Sequence, residues 1–418
     1  MSTTIATRTI FHLRRLTRRI WVRTTAFAIL AFIAAGASRP LAGLLPDALL
    51  KLGDAETVLN ILSVLSSSML AVTTFSLGVI VSARQAISST ITPRAHEIVA
   101  GDPVTQRVLA VFMGAFVYAL TAQILIRTQY YDDRASSVVM LVSLFVMALV
   151  VAAMLRWIEH LTQMGSVADT VQELEARIEP AFAAWRRHPA FGAAPGDPTA
   201  HLGVQAITAR RAGYVQHIDL FRLQELAETA GGTVLVAIQI GDFVLPGAPL
   251  ARMAGAEPES AEISAAFTLG ETRTFEQDVR FGVIVLAEIA QRALSPAVND
   301  PGTAIYILNR ITRLIAGPDG PTRADPPACP RVVMAPIAGG ELVRDGFDGI
   351  ARDGAAMVEV QVRLMKCLAA LARRGDASVA ERAGTVASRA AAHSAAALAL
   401  EEDRARLNRL AAEVGRTS

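Results

Sequence analysis

The stretch ETVLNILSVLSSSMLAVTTFSLGVIVSAR, residues 56–84, carries a charge at each end and none between. A charged side chain at the centre of a bilayer costs about 2.5 kcal/mol or more on insertion scales. A helix of about 20 apolar residues covers the hydrocarbon thickness, so residues 57–83 predict a membrane-crossing helix. On that helix Asn60, Ser63, Ser67, Ala71, Thr74, Gly78 and Ser82 recur at steps of three and four and form one small, polar stripe. Ile61, Leu62, Leu65, Met69, Leu70, Val72, Phe75, Leu77 and Ile80 fill the other faces. Two readings of the stripe follow. Small residues four apart let helices pack closely, with hydroxyls bonding across or back to their own helix. Alternatively, hydroxyls and an amide line a water-filled path in a homo-oligomer, replacing ion hydration without buried charge.

Outward from this stretch, three more charge-free runs appear, at residues 24–38, 108–126 and 135–155. The first is short, follows a basic segment and ends in Ala35-Gly36-Ala37, a pattern shared with cleaved secretory signals. Apolar character resumes beyond Arg39 at Leu41, Leu44 and Leu45, so an uncleaved anchor with one snorkelling arginine fits better. Four transmembrane helices are therefore expected. Arg8, Arg14, Arg15, Arg18, Arg19 and Arg23 precede the first, and Arg84, Arg94 and Arg107 flank the loop after the second. The positive-inside rule puts both sides in the cytoplasm. The outer loops carry only Arg39 with Lys51, and Arg127 with Arg134. An inner-membrane protein with cytoplasmic termini is the expected placement, the C-terminal side supported by Arg156, Arg177, Arg186 and Arg187.

Composition agrees: 52% of residues are hydrophobic and 19% charged, too apolar for an ordinary soluble chain, so the lipid bilayer is the first partner. The formal charge of +2 argues against a nucleic-acid binder. None of the four runs holds an Asp, Glu, Lys or His, which disfavours a proton-coupled transporter. Cys329 and Cys367 form no metal-ligating or redox pair, the seven histidines are scattered, and Glu159 with His160 reads as a solvated helix end. No nucleophile elbow, phosphate-binding loop or zinc spacing is present. The expectation is a protein that is not an enzyme and that uses no cofactor and no metal.

Residues 159–185 keep helical spacing and read as a stalk that breaks at Pro189, Gly192, Pro195, Gly196 and Pro198. Strand-like alternation follows at Gly213-Tyr214-Val215 and at Val234, Val236, Ile238 and Ile240, around a short helix near Leu220. Gly241–Leu250 resembles the turn-and-strand signature of the barrel-sandwich domains that carry biotin or lipoate. Those domains attach the cofactor to a lysine, and the only lysines here are Lys51 and Lys366, so the likeness supports a small structural β module alone. Residues 275–316 read as two helices broken at Ser295-Pro296, with Asp300 the N-cap and Pro301 the first residue of the second. Ser295, Asn299 and Asp300 also make a candidate polar loop for an ion or small ligand. A Gly/Pro/Asp-rich linker covers 317–330, and residues 345–374 and 378–414 read as an antiparallel helix pair. The resulting division is a basic cytoplasmic N-terminus (1–22), a four-helix transmembrane domain (23–156), a helical stalk and linker (157–200), a cytoplasmic α+β module (201–316), a linker (317–330) and a C-terminal helical region (331–418).

Several segments together resemble the bacterial membrane-protein family called domain of unknown function 2254 (DUF2254). They are Ser67-Ser68 with Phe75-Ser76, Thr92-Pro93-Arg94, Asp102 with Gln106, Phe112-Met113-Gly114-Ala115-Phe116-Val117-Tyr118, Gly213-Tyr214-Val215-Gln216, Gly241-Asp242-Phe243-Val244 and Arg292-Ala293-Leu294-Ser295-Pro296-Ala297-Val298-Asn299-Asp300-Pro301. The chain departs from the usual family pattern at Thr92, where serine is common, and at Val279-Arg280, where a proline with an acid is common. The resemblance implies four spans and a cytosolic module and supplies no activity. The residues then favour a homo-oligomeric, channel-like protein for ions or small solutes. A membrane-tethered sensor or scaffold whose cytoplasmic domain binds a partner is the alternative.

Overall fold

Charge-free sequence has one low-energy form in lipid, a helix that satisfies its own backbone, and each such run is helical. The computed structural model describes residues 20–41, 55–90, 94, 103–131, 133–163, 166–198, 206–255, 260–317 and 326–417. The arginines up to Arg19, Lys51, Thr92, Pro93, Asp102 and most of the 317–330 linker lie outside the described residues. The chain divides into two units, one of residues 1–89 with 96–169, the other of residues 90–95 with 170–418.

The first unit holds α1 (Ile20–Leu41), α2 (Ala55–Thr90), α3 (Pro103–Arg127) and α4 (Asp133–Gln163). Among the described residues three helical segments, not the expected four, are long and apolar enough to cross a bilayer: Ala55–Ser82, Val104–Arg127 and Ala135–Leu161. In α1 the apolar segment found among the described residues is Thr25–Ala34, shorter than a span needs. α1 nevertheless packs on α3. A Cβ added at Gly114 would lie 3.4 Å from the Phe27 Cβ, so the glycine lets the two backbones approach. The core of this unit joins Val58, Leu62, Leu65 and Met69 of α2 to Phe112, Tyr118 and Ala122 of α3 and Val139, Val150 and Trp157 of α4.

The second unit takes in α5 (Val167–Arg187) for nearly all its length, then two open sheets and a set of helices. The strands are β1 (Ala193–Pro195), β2 (Ala206–Thr208), β3 (Gly213–Ile218), β4 (Thr233–Val236), β5 (Phe243–Val244), β6 (Pro249–Ala254), β7 (Phe267–Gly270) and β8 (Cys329–Met334). One sheet has the order β1-β8-β4-β6-β2, the other β5-β3-β7. β4 pairs in parallel with β8 and antiparallel with β6, and its Val234, Leu235 and Val236 are all buried, as a strand covered on both faces must be. The helices α6 (Leu220–Ala230), α7 (Ser260–Ala265), α8 (Val279–Ala293), α9 (Pro301–Ala316), α10 (Gly339–Asp353), α11 (Val358–Arg374), α12 (Ala377–Ala397) and α13 (Glu401–Thr417) complete the unit.

Two expectations are corrected here. The barrel-sandwich-like module is absent as a closed form among the described residues: β5 joins β3 through Gly213 opposite Val244, whereas β6 joins β4 and β2 in the other sheet. The turn signature in Gly241–Leu250 is real, but it hands the chain from one sheet to the other instead of closing a hairpin. The expected antiparallel pair of C-terminal helices is four helices. α10 ends where Gly354 N–H donates to Ile350 O at 2.9 Å, and α12 ends where Leu398 N–H donates to Ser394 O at 2.9 Å.

Candidate functional site

α2 is built with two faces of different chemistry. Val58, Leu62, Leu65, Met69 and Ile80 are buried, joined by Thr73 and Ser76. Asn60, Ser63, Ser67, Ala71, Thr74, Gly78 and Ser82, the predicted stripe, are all exposed on this single chain. The stripe does not serve packing inside the protomer. Flanking it on the same outward side are bulky apolar residues, with Phe75 at 68% exposure and Val64, Leu70, Leu77 and Val81 also open.

Two of the stripe's hydroxyls are donors to their own helix. Ser67 Oγ donates to Ser63 O at 2.9 Å and Thr74 Oγ1 to Leu70 O at 2.9 Å. Such back-bonding removes the cost of an unsatisfied O–H in an apolar medium. It leaves the oxygen lone pairs of Ser67 and Thr74 outward as acceptors, and Asn60 adds an amide that both donates and accepts. Two polar side chains of α3 bond between helices instead. Gln123 Nε2 of α3 donates to Leu62 O and Ser66 Oγ of α2, each at 3.0 Å, and the Tyr118 hydroxyl donates to Val139 O of α4 at 3.1 Å.

The loop containing Ser295, Asn299 and Asp300 is accounted for by helix termination. Ser295 Oγ donates to Arg292 O at 2.7 Å, and Asn299 sits at φ 50, a left-handed conformation that asparagine tolerates. Asp300 accepts from Thr303 N at 3.0 Å and from the Thr303 hydroxyl at 2.6 Å. Those two bonds, the hydroxyl's first, hold its carboxyl below the usual carboxylate range. The three residues are brought together as a corner between α8 and α9, with Asp300 committed to its cap.

Sequence reasoning missed the charged clusters of the second unit. Glu175 on α5, 6% exposed, receives Arg310 Nη1 at 2.9 Å and Arg313 Nε at 2.9 Å from α9. Asp278, 2% exposed, caps α8 by accepting from Phe281 N at 2.9 Å and is gripped by Arg273 at 2.7 and 2.8 Å. Burial pushes the Asp278 carboxyl up, and Arg273 pulls it back. Gly241, at φ +92, makes room for the pair: a Cβ there would stand 2.3 Å from Asp278 Oδ2. Partners 65 or more positions apart in sequence, such as Arg280 with Asp345 at 2.7 Å, leave no local signal, whereas Asp278 beside a helical run was open to reading as a cap. Burial raises the thiols of Cys329 and Cys367, which keeps both in the unreactive form. No group of three or more potential metal ligands exists among the described residues.

The fold is thus that of an integral membrane protein, an apolar helical unit joined to a mixed helical and sheet unit. A family model described as "Predicted membrane protein (DUF2254)" matches residues 17–370, and the chain belongs to that family. It is similar to uncharacterized proteins of Mycobacterium tuberculosis and Mycobacterium bovis, 27% identical over 311 residues that cover 70% of this chain. The match covers 59% of those relatives' own length. No solved structure matches the chain.

Proposed function

We propose that this protein is a homo-oligomer of the bacterial inner membrane that forms or gates a passage for ions or small solutes, lined by the α2 stripe. The observation that carries the reading is the exposure of the whole row from Asn60 to Ser82 on the single chain, with the Ser67 and Thr74 hydroxyl protons already engaged. A row of oxygen acceptors facing lipid gains nothing, whereas facing other copies around water it replaces part of an ion's hydration. The bulky neighbours Val64, Phe75 and Leu77 then meet lipid or the adjoining copy. The second unit assembles or regulates the ring in the cytoplasm, and neither catalysis nor a cofactor is invoked.

The sidedness is supported by the basic flanks of the spans.

Purified protein in planar bilayers is expected to conduct, and Ser67→Leu or Thr74→Leu to reduce the current while the folded oligomer persists. A folded oligomer that stays silent contradicts the passage and leaves the reading of a membrane-tethered sensor or scaffold, for which leucine at Ser67 would weaken assembly alone.

A further inference from the structure

Within the second unit, α11 turns Val360, Leu364, Leu368 and Leu371 inward and leaves Arg363, Lys366, Arg373 and Arg374 exposed. At helical spacing these four cations share one face about 16 Å long. Glu359, in the first turn, is the one acid in α11. The arginines of α9 and α10 have ionic partners in the chain: Arg310 and Arg313 meet Glu175, Arg344 meets Asp345 and Arg352 meets Asp353. Among the described residues no ion pair reaches the four cations of α11.

Matching negative charge sits on α13. Its first turn holds Glu401, Glu402 and Asp403, likewise without an ion pair among the described residues, and Leu400 just before it is 58% exposed. α11, α12 and α13 pack on one another, and their short connections, residues 375–376 and 398–400, make each helix reverse the one before. α13 therefore starts at the end of this layer where α11 starts, about 24 Å along the axis from Arg374. Helix dipoles favour acids in a first turn and arginines in a last one. That accounts for Glu401, Glu402 and Asp403 and for Arg373 and Arg374, but not for Arg363 and Lys366 in the middle of α11.

We propose that the basic face of α11 receives the acidic start of α13 of a second copy, head to tail. This deepens, and rests on, the homo-oligomer reading, and it makes no use of the passage. Two different, complementary patches form a heterologous contact, which closes into a ring when the rotation between copies allows. An exposed ion pair shifts an equilibrium by only about 1.4- to 5-fold, so the contact steers and orients the copies more than it holds them. Salt weakens it, because at about 0.15 M the screening length is near 8 Å.

The experiment uses two differently tagged full-length chains in one membrane, one with Arg374→Cys and the other with Glu402→Cys, treated with a short bifunctional thiol reagent. The native thiols at Cys329 and Cys367, 1% and 5% exposed, are shielded. A mixed dimer is expected in excess of either like-with-like dimer. Its absence while each cysteine labels freely, or a predominance of like-with-like dimers, overturns the proposal. In parallel, Arg363→Glu with Lys366→Glu, and Glu401→Arg with Glu402→Arg, are each expected to weaken self-association about 2- to 25-fold in sedimentation, and the chain carrying all four changes to restore it. Reversals without effect, or a fourfold variant that restores nothing, overturn it. So do α11 reversals that leave the oligomer intact and instead release bound anionic lipid, which would make a lipid surface the occupant. An unsubstituted chain that is monomeric in lipid at every salt concentration rejects the homo-oligomer reading itself, whereas an oligomer indifferent to these charges rejects this contact alone.

Discussion

In the membrane unit Ser67 and Thr74 give their protons to carbonyls one turn back, and Gln123 reaches across to Leu62 O and Ser66. In the second unit Asp278 and Glu175, both nearly inaccessible, are held by arginines, Asp278 by the nearby Arg273 and Glu175 by Arg310 of α9. The difference follows from solvent. Lipid offers no compensation for charge, so polarity there is confined to neutral groups close to a backbone acceptor. A unit surrounded by water can bury a carboxylate provided a guanidinium comes with it. One region is therefore tolerant at its polar positions and the other is not, and this contrast can be broken by substitution.

The largest effect is expected at Asp278. Changing it to alanine removes the α8 cap and strands the Arg273 guanidinium, at a cost of about 3–5 kcal/mol, seen as loss of the second unit's cooperative melting. Asp300→Ala, a cap alone on a half-exposed corner, is expected to cost about 1 kcal/mol, measured as a shift in denaturant midpoint with an unchanged slope. Gln123→Leu in the membrane unit is expected to cost only about 0.6 kcal/mol, because the unfolded chain in lipid also finds partners for its amides. If Gln123→Leu proves as damaging as Asp278→Ala, the contrast fails.

The smallest effect is one of pH. Burial lowers the His217 pKa, against the opposing pull of Asp219 and Gln277, so the unfolded chain takes up this proton at a higher pH than the folded one. Stability linked to His217 is present above its ordinary value of 6.5 and falls as the pH drops below it. Melting curves at pH 7.5 and 5.5 should show this loss, and His217→Gln should remove that share of it.

The membrane unit was legible because its rule is local. An uncharged run of sufficient length is a helix, and residues 57–83, 108–126 and 135–155 each contain the apolar body of an observed one. For the first run, the apolar helix among the described residues is Thr25–Ala34, shorter than a span. The stripe could be read as a stripe, since helical spacing alone defines it, but which way it faces depends on the packing of Leu62, Leu65 and Met69, which spacing alone leaves open. In the second unit Asp300 was readable as a cap from the proline after it. The exchange of the chain between sheets at Gly241–Leu250 was not, because strand pairing is a long-range choice: Val244 opposite Gly213, Ala251 opposite Val236. The breaks at Gly354 and after Ala397 interrupt runs whose composition stays helical, and the signal was one glycine in the first case and none in the second.

The outward face of α2 can be read directly by placing single cysteines at Ser63, Ser67, Ala71, Thr74 and Gly78, and at Val64, Phe75 and Leu77, in protein embedded in lipid, and measuring their reaction with a water-soluble thiol reagent. Reaction at the first group, recurring every three or four residues, with slow reaction at the second, is the predicted result. A stripe as unreactive as Phe75 would mean that acyl chains cover it, and the passage would have no lining.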